Sequence, residues 1–236
     1  MHYIITDIHN DNRRFTELLQ KINLTEKDHL YLLGDLFDRC EDHADPVGVY
    51  FQMLRLGEQC TVIRGNHDHW LANYIFRYYS REEKDRALLQ PYPYNSFQML
   101  RERLTEVDLK QMAERILSWP VQLEIEVDGQ PYLLAHACTA EPGKWKLDQY
   151  HLMGDLWYKV FLHEGVSGYI SICGHRNTED GRIWKNKKGN VYLCDCGCGF
   201  EHGRLGCLCL ETKETFYALS LIYISEPTRL ALISYA

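Results

Sequence analysis

An alternation of short apolar β-type runs with segments of helical period predicts an α/β fold. Composition agrees: of 236 residues 45% are hydrophobic and 25% charged, the balance of a globular domain with a real core. So does a hairpin signal, in which QLEIEV and QPYLLAH flank an Asp128-Gly129 turn.

Taken in order, the β-type runs are Tyr3–Thr6, Leu30–Leu33, Cys60–Ile63, Gln122–Val127, Tyr132–Ala135, Tyr169–Cys173 and Val191–Cys194. Between the first two, Phe15, Leu18, Leu19 and Ile22 share one helical face, and Val49, Met53, Leu54 and Leu56 do so less cleanly. Residues 68–90 are aromatic and charged; PYPYNS interrupts them, and 96–117 reads as one further helix. Trp70, Tyr74, Phe76, Tyr78, Tyr79, Tyr92 and Tyr94 could line a substrate groove, but the spacing at 70, 74 and 78 favours helix-core packing, and Trp119 before Pro120 reads as packing at a helix end. From 181 to 210 the chain is rich in Gly and Cys and is expected to form antiparallel strands.

No repeat or linker divides the chain, so one domain is expected over 1–218. The composition shifts at Leu219, and the 219–236 tail resembles a translated sequencing-library adapter. It is expected to be non-native or disordered, with a C-terminal strand as the alternative. The formal charge of −7 argues against a general nucleic-acid binder, which needs a basic face. No stretch approaches the length of a membrane span and no signal-peptide pattern opens the chain, so no membrane association and a cytoplasmic setting are expected. Nine cysteines, an odd number, are then expected as free thiols. Oligomeric state is not legible in this pattern.

Chemistry is concentrated where the strands end. Asp7 and His9 follow the first, and Gly34-Asp35-Leu36-Phe37-Asp38-Arg39 the second. Arg64-Gly65-Asn66-His67-Asp68 follow the third, with His136 and His175 after two later strands. Each fragment alone is ordinary turn or capping chemistry. Five strand ends that each deliver a metal-competent group can converge, because open α/β sheets gather ligands at the carboxyl ends of their strands. A pair of divalent ions needs this mixture: carboxylates for charge, imidazoles for transition metals, and an amide oxygen as neutral donor. Asp7 and His9 would hold one ion, Asp35 would bridge, and Asn66, His136 and His175 would hold the second. Such a centre leaves a positive pocket in an acidic protein, suited to phosphate. A metal-bound hydroxide would attack phosphorus in line. His67, oriented by Asp38, would protonate the leaving group, and the planar fork of Arg39 would grip phosphate oxygens.

The ordered set TDIHN … GDLFDRC … GNHD … AHA … CGHR resembles the motifs of the calcineurin-like metallophosphoesterase superfamily, and within it the serine/threonine phosphoprotein phosphatases and their bacterial relatives. LCDCGCGFEHGRL is similar to that family's strand pair after its Gly-His motif. The resemblance implies an α/β/β/α sandwich with the metal site at strand C-terminal ends, and two divalent ions, with manganese favoured over iron or zinc. It implies hydrolysis of a phosphorylated protein or a small phosphate ester. It matches Asp7, His9, Asp35, Asn66, His136 and His175 to metal ligands, with Asn66 also facing phosphate. Asp38 and His67 match the acid pair, and Arg39 a phosphate-binding arginine. Thr6, Asn10 and Cys40 stand where the family has glycine, so adjusted loops with retained ligands are expected. No arginine lies between His136 and His175, and Lys159, in a segment resembling a bacterial Trp-x-Arg, is the expected substitute.

The main expectation is therefore a dimetal serine/threonine phosphoprotein phosphatase. The first alternative is a dinucleoside polyphosphate or other nucleotide hydrolase on the same scaffold. A zinc-binding interaction module built on Cys194, Cys196, Cys198, Cys207 and Cys209 is the competing non-enzymatic class, although CxCxC is not the spacing of structural zinc sites. Nothing in the chain favours a catalytically silent relative.

Overall fold

A computed structural model describes residues 1–144 and 156–218; the tail discussed above lies outside the described residues. The strands are β1 (His2–Ile5), β2 (His29–Leu32), β3 (Cys60–Val62), β4 (Gln122–Val127), β5 (Gln130–Ala135), β6 (Ile170–Cys173), β7 (Trp184–Lys185), β8 (Val191–Leu193), β9 (Leu205–Cys209) and β10 (Thr215–Ala218). The α-helices are α1 (Asn12–Ile22), α2 (Pro46–Arg55), α3 (Asn66–Tyr79), α4 (Glu83–Arg86), α5 (Ser96–Arg101), α6 (Glu106–Ser118) and α7 (Leu156–Glu164).

They form two five-stranded sheets, ordered β10-β9-β1-β2-β3 and β4-β5-β6-β8-β7. In the first, β1, β2 and β3 are mutually parallel and β9 runs antiparallel to β1, with Ile4 opposite Leu208. In the second, β6 is parallel to both β5 and β8. The expectation of antiparallel strands over 181–210 therefore holds for β7 against β8 and for β9 against β1, but not for β8 against β6.

The period of two in the strands builds the layers. Tyr3, Ile5, Leu30 and Leu32 face a core shared with the helices, including Phe15, Met53, Ile75 and Met112. Their alternates Ile4, Tyr31 and Leu33 meet Leu134, Ile172, Tyr192 and Leu208 between the sheets. Leu133, Cys173, Val191 and Leu193 turn outward to Tyr158 and Phe161 of α7. Both faces of each sheet are thus covered, giving the helix–sheet–sheet–helix sandwich. Each fully buried aliphatic side chain contributes about 1.5–3 kcal/mol.

Local signals set the helix starts. Asp11 caps α1 by accepting from Arg14 N, and Asp45 caps α2 ahead of Pro46. The single helix expected over 96–117 is two, because Thr105 caps α6 in a reciprocal pair with Asp108 and restarts the chain there. Among the described residues no helix is long and apolar enough to cross a membrane.

Candidate metal centre

The strand-end side chains do converge. Asp7, His9 and Asp35 form one group, and Asp35, His136 and His175 a second, with the ligand atoms of each group all within 4.8 Å of one another. Asp35 belongs to both. Asn66 joins the second group, its Oδ1 being 3.1 Å from His136 Nε2, and His175 Nδ1 lies 3.1 Å from the same nitrogen.

The loops that aim these groups are conformationally unusual. Asp7, His9, Asn10, Asp35, Asp38, Arg39, Cys40 and His175 all have φ between +48° and +69°. For a non-glycine residue this left-handed region costs roughly 1–2 kcal/mol, so strain is concentrated at the site. Hydrogen bonds between loops hold it: Asp7 N donates to Gly34 O (3.0 Å), His9 N to Asp35 O (3.0 Å) and Asn10 N to Leu36 O (2.9 Å). The Asp68 carboxylate accepts from Gly65 N, Asp35 N and Leu36 N, each at 2.9 Å, and locks the ends of β2 and β3 together. Close approach explains Gly65, where a Cβ would run into the Asp35 carboxylate. Thr6, in place of glycine, donates its hydroxyl to Asp7 Oδ2 (2.6 Å). Asn10 donates its side-chain amide to Asn95 Oδ1 (3.1 Å). Thr6 and Asn10, two of the three replacements, thus add fastenings beside the candidate ligands.

Each ligand commits one side to the protein. Asp7 Oδ2 also accepts from His175 N (2.9 Å), whereas the buried Asp7 Oδ1 has no hydrogen-bond partner among the described residues and lies 3.7 Å from His9 Nε2. Asp35 Oδ1 accepts from His67 N (2.9 Å), and its Oδ2 faces His136 Nε2 at 3.3 Å and His9 Nε2 at 3.9 Å. His9 Nδ1 bonds to Phe37 O (3.0 Å) and His136 Nδ1 to Leu33 O (2.7 Å). Those carbonyls fix the tautomers and leave both Nε2 atoms facing the centre. An orphaned carboxylate oxygen beside inward-facing imidazole nitrogens and an amide oxygen is a donor set that fits a pair of divalent ions.

Electrostatics match a site built to hold cations. Burial lifts the Asp7 carboxyl to about 6 despite the neighbouring His136. Burial opposes ionisation of Asp35 too, but His136, His67 and His9 outweigh it and hold Asp35 well below the usual carboxylate range. Burial disfavours charge on His136, yet Asp35 lifts it to about 10; His9 is pulled down to about 3 by burial.

Beside this cluster His67 Nδ1 meets Asp38 Oδ2 at 2.9 Å. The Arg39 guanidinium spans the opening, 3.3 Å from His9 Nε2 and 3.5 Å from His67 Nε2. Lys159 is exposed on α7 and does not line the cleft that adjoins Arg39. Among the described residues the nine cysteines form no disulfide and contribute to neither ligand group; Cys198, Cys207 and Cys209 pack in the helix-side core and Cys194 between the sheets.

Sequence reasoning missed the contribution of Pro91–Ser96, taken above as an interruption. Tyr92 donates its hydroxyl to Asp38 Oδ2 (2.7 Å), and Asp38 N donates to Ser96 Oγ (2.6 Å). Tyr94 lies against His67, with ring centroids 4.6 Å apart, and Trp70 stacks parallel to Tyr94 at 6.2 Å. The aromatic residues are therefore divided: Tyr74 is core, but Trp70, Tyr92 and Tyr94 frame the site. Two prolines alternating with two tyrosines were the available signal.

Comparison with known proteins agrees with this architecture. A family model described as calcineurin-like phosphoesterase matches residues 3–197, and the chain belongs to that family. Among curated relatives it resembles two enzymes named symmetrical bis(5'-nucleosyl)-tetraphosphatase. The one from Vibrio parahaemolyticus is 25% identical over 147 residues, 62% of this chain and 47% of that protein. The one from Nitrosomonas europaea is 36% identical over 72 residues, 30% of this chain and 26% of that protein. The chain thus spans about half or less of the length of these relatives. Among solved structures, one provisionally described as a diadenosine tetraphosphatase aligns with TM-score 0.65 at 18% identity, covering 93% of each chain. A serine/threonine phosphatase from Saccharomyces cerevisiae aligns with TM-score 0.57 at 12% identity, over 93% of this chain and 79% of that one. At such identities these two establish a shared fold.

Proposed function

We propose that this chain hydrolyses phosphate esters and anhydrides with two divalent ions, and that its substrates are dinucleoside polyphosphates rather than phosphoproteins. The observation carrying the hydrolytic reading is Asp35, shared by two ligand groups, with the His67–Asp38 pair opening beside them under Arg39. The names of both curated relatives support the choice of substrate over the phosphoprotein reading.

Asp7 and His9 would hold one ion, Asn66, His136 and His175 the other, with Asp35 between. The ions, when bound, supply charge neutralisation and activation of water. Arg39 would bind the non-bridging phosphate oxygens and hold the phosphorus in line. His67 would place a proton from Nε2 on the departing oxygen, while Asp38 fixes its Nδ1 and so its aim. Asn66, at the start of α3, would turn its amide toward phosphate as well as an ion.

The test is a panel with manganese: diadenosine tetraphosphate, a phosphoserine peptide and p-nitrophenyl phosphate. Symmetric cleavage should yield two molecules of ADP, stop with chelator and be lost in Asp35→Asn. A phosphopeptide turned over with a kcat/KM equal to or above that of the dinucleotide would return the assignment to the protein phosphatases.

A further inference from the structure

A cleft of about 730 Å³ continues outward from Arg39, a volume typical of small-molecule sites. Tyr94 and Pro93 contribute to its lining, as do Gly199 and Phe200. Phe200 is 49% exposed, unusual for so large an apolar side chain, and the Arg39 guanidinium lies over its ring at 4.9 Å.

The loop carrying Phe200 is pinned. Phe200 N donates to Gly197 O and Gly203 N to Phe200 O, both at 3.1 Å, while Arg204 N closes on Cys196 O at 3.0 Å. Gly199, at φ +88°, brings this loop so near the centre that a Cβ there would lie 2.7 Å from His9 Cβ. The exposed ring is therefore fixed relative to the ion ligands.

Charge in the cleft is mixed. Arg39 sits at the inner end. Arg14 is already paired with Asp11 at 3.2 Å. Exposed Arg13 and the exposed carboxylates of Glu41, Asp42 and Glu201 also line the cleft. Phosphate is matched at Arg39, whereas beyond it three exposed carboxylates against one exposed guanidinium disfavour a long anionic chain. A neutral group with a flat face and hydroxyl donors fits the remainder.

From this geometry we infer that the cleft is a nucleoside subsite: the base stacks on Phe200 and Tyr94, and the ribose hydroxyls donate to the rim carboxylates. The inference deepens, and rests on, the dinucleotide reading above.

The test compares AMP with ribose 5-phosphate on the manganese-loaded protein by calorimetry, since the two ligands share a phosphate and differ by the base. Wild type should bind AMP about tenfold more tightly, on the order expected of one base–aromatic stack. Phe200→Ala should erase most of that preference and Phe200→Tyr should retain it. In parallel, Phe200→Ala should lower kcat/KM for diadenosine tetraphosphate about tenfold relative to p-nitrophenyl phosphate, chiefly through KM. Equal binding of AMP and ribose 5-phosphate by wild type, or a preference untouched by Phe200→Ala, would overturn the subsite. So would a phosphopeptide that binds more tightly than AMP and is weakened by the same substitution, because the cleft would then be a peptide groove. Failure to cleave the dinucleotide while the AMP preference stands would count against the substrate reading alone.

Discussion

Tyr92→Phe removes one oxygen atom and asks whether the hydroxyl on Asp38 matters. Asp38 is fully buried, its Oδ1 has no partner, and its Oδ2 is shared by Tyr92 at 2.7 Å and His67 at 2.9 Å. The substitution leaves the ring in place, so no large cavity forms, and the carboxylate keeps a single side-chain partner. A hydrogen bond to a buried charged group contributes about 1.5–3 kcal/mol. With Tyr92 only half-buried, water can recover part of that, and a loss of about 2 kcal/mol is expected. In a chain of this size it corresponds to a fall in Tm of about 4–8 °C by calorimetry. The kinetic readout separates packing from positioning. If Tyr92 holds Asp38 so that His67 stays aimed, alkyl phosphates should lose about fivefold in kcat, and p-nitrophenyl phosphate, whose leaving group needs little protonation, less than twofold. A Tm within 1 °C of wild type (roughly 0.3–0.5 kcal/mol) and equal rates on both substrates would refute the reasoning.

For His67→Asn, steady-state kinetics should show a larger loss on alkyl than on aryl phosphates; equal losses would argue against proton donation. In protein stripped by chelator, His136 keeps its proton up to about 10, above its ordinary value near 6.5. The stability supplied by its pair with Asp35 is thus fully present below about 6.5 and lost as pH rises through about 10. An ion needs that nitrogen bare, so calorimetry at pH 8 in buffers of different ionisation enthalpy should find about one proton released from this residue on binding. Affinity should then rise roughly tenfold per pH unit in that window; binding independent of pH would contradict it. Gly199→Ala, at φ +88° and against His9, should cost about 2 kcal/mol or more and weaken manganese binding; a neutral substitution would show that the loop yields.

The strands and the cluster of candidate ligands were legible in the sequence because both depend on local pattern. Alternation in Tyr3–Ile5 and Leu30–Leu33 reflects cores on both faces, and the ligands follow directly on those strands. What was not legible depends on tertiary packing. The break at Thr105 passed as continued helix because apolar residues on both sides of it, Leu100 and Leu109 among them, pack into the same core. Tyr92 and Trp70 carry no mark that distinguishes them from Tyr74; the path of Pro91–Ser96 brings Tyr92 to Asp38, and Trp70 meets His67 from three residues further along α3. Phe200 likewise acquires meaning from a glycine loop whose approach to His9 spans nearly the whole chain.

Because β1 lies between β2 and β9, the strand that introduces Asp7 and His9 is synthesised long before Leu205–Cys209 arrives to close its second edge. Until then an apolar strand lies open on one side, as a ready template for mispairing. Conditions that slow synthesis between β2 and β9 should expose nascent chains to chaperones for longer.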